Sequence, residues 1–121
     1  MIIYITGPNG TLGNALSLYL LKKNFKLILI TSNKKKIYRK FKNYLHLIKI
    51  LDYKNLKSIK FKTRKKKNLF IHLAGASNNF FRTYKDLYEA NVVTTHKVLK
   101  FCIKNKISNF YLLSSLSVYS H

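Results

Sequence analysis

Apolar residues fall into five short runs along the chain. They occupy residues 2 to 6 (IIYIT), 26 to 31 (KLILIT), 46 to 51 (HLIKIL), 69 to 73 (LFIHL) and 109 to 114 (NFYLLS). Each is apolar on successive rather than alternate positions, the pattern of strands in a parallel sheet covered on both faces. Between them the period changes. Residues 12 to 23 (LGNALSLYLLKK) put Leu12, Leu16, Tyr19 and Leu20 on one face of an amphipathic helix that ends in lysines at its negative pole. Residues 84 to 105 carry Leu87, Tyr88, Val92, Leu99 and Cys102 at spacings that fit one long helix, and Thr83 with Asp86 resembles a capping box. Residues 34 to 44 and 54 to 60 are weaker helices, because their like charges repel, and RKKK at 64 to 67 is a solvated connection. Strands alternating with helices predict right-handed crossovers and a doubly wound α/β fold.

A chain of 121 residues is one domain, able to bury roughly two-thirds of the surface it exposes when unfolded. With 47% hydrophobic residues it is too apolar to be a disordered basic tail. The charge changes the list of partners. Twenty-four Lys and Arg against three acids give +21, a field that attracts nucleic acid, anionic lipid or phosphate-bearing ligands without selecting among them. Lys, Asn, Ile, Phe and Tyr are abundant together, as A+T-rich codons would produce, so the charge by itself assigns no partner, and nucleic acid is expected only as a non-specific one. Neither a helix-turn-helix nor an RNA-recognition signature accompanies it. Cys102 stands alone, which excludes an internal disulfide and fits a reducing, cytoplasmic setting. The start MIIYITGPNG lacks a basic region before its apolar stretch, so it does not read as a signal peptide. No run approaches 18 uncharged apolar residues, and no membrane span is expected.

Candidate chemistry lies where the first strand meets the first helix, at Thr6-Gly7-Pro8-Asn9-Gly10-Thr11-Leu12-Gly13. Gly7 suits the tight turn off the strand, Gly10 lets the backbone approach a pyrophosphate, and Gly13 lets the helix pack closely on the sheet. The amides of the first helical turn and the positive end of the helix dipole then face an anion. Pro8 lacks an N–H, but donors nearer the helix start carry the phosphate.

With three further motifs in order, the chain resembles the extended short-chain dehydrogenase/reductases, the NAD-dependent epimerase/dehydratase family. The family's TGxxGxxG stands as TGPNGTLG at 6 to 13. Its HxAG-type strand motif is His72-Leu73-Ala74-Gly75, its N-V-x-G-T helix Asn91-Val92-Val93-Thr94-Thr95, and its S-S-x-x-V-Y-G strand Ser114-Ser115-Leu116-Ser117-Val118-Tyr119-Ser120. The resemblance implies a Rossmann-type domain that binds NAD or NADP, from an oxidoreductase acting on a nucleotide-sugar or related sugar. It places the backbone of Thr11 and Leu12 at the pyrophosphate and Asp52 with Tyr53 at the adenine. Leu73, Ala74 and Gly75 line the path to the nicotinamide ribose, Asn91 contacts the cofactor region and braces the site, and Ser115 takes the place of the catalytic Ser/Thr. The residues also admit plainer roles. Asp52 can cap the segment that starts at Tyr53, Asn91 can be a satisfied amide, and His72, inside an apolar strand, reads as a packed, hydrogen-bonded histidine. His46, His96 and Cys102 read as structural, and Asp86 and Glu89 as helix-terminal charges.

Three departures from the family pattern matter. After strand two the family commonly places an acid that holds the adenosine ribose; here Thr31-Ser32-Asn33 is followed by Lys34-Lys35-Lys36, which modestly favours NADP. The Tyr-x-x-x-Lys proton-transfer pair lies further along in the family, and Tyr119-Ser120-His121 cannot supply it. The remaining strands and the substrate lobe have no counterpart, so the sequence reads as an amino-terminal portion. Strand five becomes an exposed edge open to self-association. The expectation is a cofactor-binding domain inactive alone, with a non-enzymatic nucleotide-binding or interaction module, or a truncated relic, as the alternative.

Overall fold

The computed structural model describes residues 1–61, 67–76 and 83–114. Five parallel strands, β1 (Ile2–Thr6), β2 (Lys26–Ile30), β3 (Ile48–Leu51), β4 (Asn68–His72) and β5 (Asn109–Leu112), form one sheet in the order β3-β2-β1-β4-β5. The helices are α1 (Thr11–Lys22), α2 (Lys34–Lys40), α3 (Tyr84–Tyr88) and α4 (Thr94–Lys104). Strands added in sequence to one side of β1, then to the other, create a switch point between β1 and β4, where the crossovers diverge and a crevice opens at the carboxyl ends. In-register pairing, with Thr6 opposite Ile30 and His72, brings the ends of β1, β2 and β4 to one rim. The doubly wound α/β architecture is therefore the one the sequence pattern predicts.

Both faces of the central strands β1, β2 and β4 are covered, whereas β5, expected from its apolar run to be covered too, has no fully buried residue. On one face, Tyr4, Phe70, Phe101, Phe61 and Phe110 form a linked aromatic cluster, Tyr4 stacking on Phe70 at 5.7 Å between centroids. On the other, Ile3, Ile5, Leu27, Leu29 and Leu21 pack with Ile37 and Phe41. Successive residues of β1 and β2 thus serve opposite cores, which is why these strands are apolar throughout.

Two helix faces differ from expectation. Leu12 and Tyr19 are 51% and 60% exposed, while α1 buries Gly13, Ser17 and Leu21. Two small residues one turn apart let the helix backbone approach the sheet, and this outweighs the larger apolar side chains a residue away. In the helix expected over 84 to 105, a π-helical segment at Glu89–Val93 joins α3 to α4. Its wider turn shifts the phase, so α4 buries Val98, Phe101 and Cys102, leaving Tyr88, Val92 and Leu99 between a third and a half exposed. The Thr83–Asp86 capping box is formed in both directions. Over 34 to 44, a helix ends at Lys40 and a 3-10 segment follows at Lys42–Leu47, taking His46 and Leu47 out of the predicted third strand. Over 54 to 60 only a 3-10 turn at Tyr53–Asn55 forms. At the sheet edge Tyr111, Leu112 and Leu113 are each more than half exposed. No described helix is long and apolar enough to cross a membrane.

Candidate functional site

At the end of β1 the chain reverses through Gly7, whose φ of +68° favours glycine. The Gly10 N–H donates to the Gly7 carbonyl at 3.1 Å, and the Asn14 N–H donates to the Gly10 carbonyl at 2.9 Å, opening α1. A β carbon on Gly13 would lie 2.1 Å from the Gly7 oxygen, and one on Gly7 would lie 2.9 Å from the Ala74 nitrogen. Strand, turn, helix and the segment after β4 therefore meet backbone to backbone. Around Gly10 the space is open, with only the Gly7 oxygen within 3.5 Å of a β carbon there. No side chain caps α1 and no acid occupies its first turn. Thr11 and Leu12 are exposed in that turn, and the positive end of the helix dipole has neither a capping side chain nor an acid to neutralise it.

The loop forms one wall of a cavity of about 260 Å³. Gly7, Gly10, Thr31, Ser32, Tyr53, Leu73, Ala74 and Gly75, all named from the sequence, line it together with Asn9 and Ile30. Gly13 is buried beneath the loop, and Lys34 begins α2. Asp52 does what its plainer role predicts: its Oδ1 accepts from the Lys54 N–H at 2.9 Å, capping Tyr53–Asn55. Asn91 braces the site through backbone. Its Oδ1 accepts from the Ala76 N–H at 2.7 Å and its Nδ2 donates to the Ala76 carbonyl at 2.9 Å, tying the segment after β4 to the helix. Ser115 and the motif to Tyr119 lie outside the described residues.

Behind the cavity wall runs a hydrogen-bonded chain that fixes the β1 and β4 ends. The Thr95 hydroxyl donates to the Asn91 carbonyl at 2.6 Å, so it accepts from His72 Nε2–H at 2.9 Å. The remaining ring nitrogen, Nδ1, then accepts from the Thr6 hydroxyl at 2.6 Å. Thr6 Oγ1 in turn accepts from the backbone N–H groups of Leu73 and Ala74, each at 3.1 Å. Each hydroxyl proton is used and the neutral Nε2–H tautomer is specified. His72 is a buried, satisfied histidine that holds Leu73 and Ala74 in place.

Burial also holds the His72 pKa below its ordinary 6.5. The folded chain therefore takes up fewer protons here than the unfolded chain, and stability present above pH 6.5 falls as pH drops through and below that value. Denaturant titrations at pH 8 and pH 5 should show a decline that is shallower in His72→Gln, whose amide can replace part of the ring's bonding. An equal decline in both proteins would remove His72 as its source.

Two residues that the sequence did not single out complete the rim. Asn9 Nδ2 donates to Thr31 Oγ1 at 2.9 Å, clamping the glycine loop to the end of β2, while its buried Oδ1 has no protein partner. An acceptor desolvated without a donor is costly unless a ligand supplies the donor. The Lys40 ammonium reaches the Asn9 carbonyl at 3.5 Å, bringing a cation to the same rim. Nothing in the sequence marks either residue, because Asn9 occupies a variable place in the glycine pattern and Lys40 lies a whole helix away.

Tyr-x-x-x-Lys spacings do occur at Tyr19 with Lys23, Tyr38 with Lys42 and Tyr53 with Lys57. Of these tyrosines only Tyr53 lines the cavity. Burial pushes its phenol up to about 12, against the opposing influence of Thr6 and Gly7. That is the reverse of a tyrosine prepared to ionise near neutrality.

The sequence matches the NAD dependent epimerase/dehydratase family over residues 3–121. The chain belongs to that family. No curated protein matches it. Among solved structures, the UDP-Glc/GlcNAc 4-epimerase of Campylobacter jejuni is 20% identical with a TM-score of 0.77, covering 98% of this chain and 38% of that one. The UDP-glucuronic acid 4-epimerase of Bacillus cereus, solved in complex with NAD, is 22% identical with a TM-score of 0.75, covering 100% and 42% respectively. A human epimerase family protein solved with NADPH is 15% identical, with a TM-score of 0.70 and coverage of 99% and 38%. This family member thus shares their fold and spans about two-fifths of their length.

Proposed function

We propose that the chain is the NAD(P)-binding domain of an epimerase/dehydratase-like oxidoreductase whose substrate is a nucleotide-sugar, and that these residues alone do not catalyse hydride transfer. The observation that carries this reading is the uncapped amino end of α1 held against the glycine turn, where a Gly13 β carbon would strike the Gly7 oxygen. The residues fit the cofactor: donors and dipole for a pyrophosphate, open space over Gly10, and an unpartnered Asn9 Oδ1 for a hydroxyl donor. When bound, the dinucleotide supplies the hydride-accepting ring. The protein's part is to orient it. Thr11, Leu12 and Gly13 would hold the pyrophosphate through their amides, Thr31, Ser32 and Asn9 would border the adenosine ribose, and Tyr53 with Asp52 would flank the adenine. Leu73 to Gly75, fixed from behind by Thr6, His72 and Asn91, would shape the way to the nicotinamide, and Ser115 would hydrogen-bond substrate. The UDP-sugars on which the two bacterial epimerases act, and the NAD and NADPH bound in structural neighbours, support the ligand classes.

We favour NADP over NAD. No acid stands at Thr31-Ser32-Asn33 to repel a 2′-phosphate, Lys34-Lys35-Lys36 follows directly in the sequence, and the Lys40 ammonium reaches the Asn9 carbonyl at 3.5 Å. Isothermal titration with NADP, NAD and ADP tests the function itself: heat with all three is expected, and no heat with any at millimolar concentration would refute it. NADP should bind several-fold tighter than NAD at low salt, the gap narrowing as salt rises. Equal affinities at every salt concentration would dispose of the preference.

A further inference from the structure

We propose that a second cavity on this domain, sharing only Tyr53 with the first, is a binding site for a linear polyphosphate anion. It has a volume of about 360 Å³ and lies between the segment after β3 and helix α4. Its floor is apolar, made by Leu56 and Phe101, both almost fully buried, with Val93 and Tyr53 beside them. Five lysines line the cavity as well, Lys54, Lys57, Lys97, Lys100 and Lys104. The three acids of the chain are Asp52, Asp86 and Glu89, and none lines it.

Lysine is abundant everywhere in this chain, so number alone decides nothing. Convergence does. Lys97, Lys100 and Lys104 follow one another at intervals of three and four residues, which places them along one face of α4. That row spans about 10 Å at 1.5 Å per residue, a length suited to several linked phosphates rather than to one. Lys54 and Lys57 face the row from the opposite wall, and the Lys104 ammonium crosses the cavity edge to donate to the Lys57 carbonyl at 2.6 Å. Like charges three and four residues apart on one helix repel one another in the folded state. A concave wall of low polarity concentrates their field inward. A polyanion relieves the repulsion and a neutral ligand does not, so the chemistry selected is a chain of phosphates. Concavity favours a small anion over a duplex, whose backbone cannot enter.

Competitive lysine acetylation read by mass spectrometry, at constant ionic strength and with NADP saturating the glycine loop, tests the assignment on the full chain. Sodium tripolyphosphate should protect Lys54, Lys57, Lys97, Lys100 and Lys104 at least three-fold more than Lys22 and Lys26. Titration calorimetry should give saturable binding that falls at least ten-fold in the Lys97→Glu, Lys100→Glu double variant and less than two-fold in Lys22→Glu, Lys26→Glu, which has the same net charge. ATP binding tighter than tripolyphosphate would identify the anion as a nucleotide's tail, and equal binding as free polyphosphate; both support the site. Uniform protection of all lysines, equal losses in the two double variants, or loss of tripolyphosphate binding whenever NADP is present would overturn it. So would a single-stranded oligoribonucleotide that binds far more tightly than tripolyphosphate and weakens equally in both variants.

Discussion

Gly13→Ala should abolish dinucleotide binding while leaving a destabilised but folded domain. The added methyl would lie 2.1 Å from the Gly7 carbonyl oxygen and 2.8 Å from its carbon, and both neighbours are backbone. Neither can swing aside as a flexible side chain would. The turn must therefore move away from α1, taking the Gly10 N–H from its acceptor and misdirecting the first-turn amides. Overpacking of this kind costs about 1–3 kcal/mol of stability, and loss of the aligned donors should weaken NADP at least a hundred-fold, equivalent to about 2.8 kcal/mol at 1.4 kcal/mol per factor of ten. Gly10→Ala is the instructive contrast. Its methyl meets only the Gly7 oxygen, at 3.5 Å, an ordinary contact. That protein should keep its stability and lose affinity only through obstruction of the ligand. Calorimetry and denaturant unfolding of the two variants separate these effects, and a Gly13→Ala protein with unchanged affinity would contradict the geometry.

Thr6→Val should be the most destabilising single substitution at the site. Valine keeps the β-branched shape within β1 but removes the hydroxyl that accepts from Leu73 and Ala74 and donates to His72. Three buried or half-buried polar groups lose a partner together. At about 1–3 kcal/mol per unsatisfied group, a loss of roughly 3 kcal/mol or more is expected. Thr6→Ser should restore most of it, because the same oxygen returns. Denaturant midpoints for the wild type and both variants provide the test. A valine variant as stable as the serine variant would mean that the hydroxyl chain holds nothing.

The architecture was legible because each strand announces itself by successive apolar residues, and the phosphate loop because its glycines stand between a strand and a helix. Seven other sequence-named residues besides Gly7 do gather with Asn9 around one cavity. What stayed hidden depended on phase and on contacts across sequence. Apolarity pointed to Leu12 and Tyr19 as the inward face of α1, whereas the sheet accepts Gly13 and Ser17 because small residues permit close approach. The π-helical segment before α4 leaves no local signature in Glu89-Ala90-Asn91-Val92-Val93, yet it decides that Phe101 rather than Leu99 enters the core. Asp52 admitted two roles from the sequence, and its hydrogen bond to Lys54 realises the capping one. His72 and Asn91 were visible as motif members, but the tautomer of one and the two-way Ala76 pairing of the other require coordinates.

The chain's lone cysteine belongs to the fold rather than to chemistry. Cys102 is buried on α4 within the aromatic core, and desolvation pushes its thiol up to about 12. A thiol in that state is a weak nucleophile near neutral pH. His96, by contrast, is exposed on the rim of the lysine-lined cavity.

The central claim is that the turn at Gly7 to Gly13 receives the pyrophosphate. Its most direct test is a backbone amide chemical-shift titration of the chain with NADP and, separately, with ADP. The account predicts that both ligands produce their largest changes at Thr11, Leu12 and Gly13, with NADP alone extending them to Leu73, Ala74 and Gly75. Saturable binding that leaves the amides of residues 10 to 13 unmoved would contradict it.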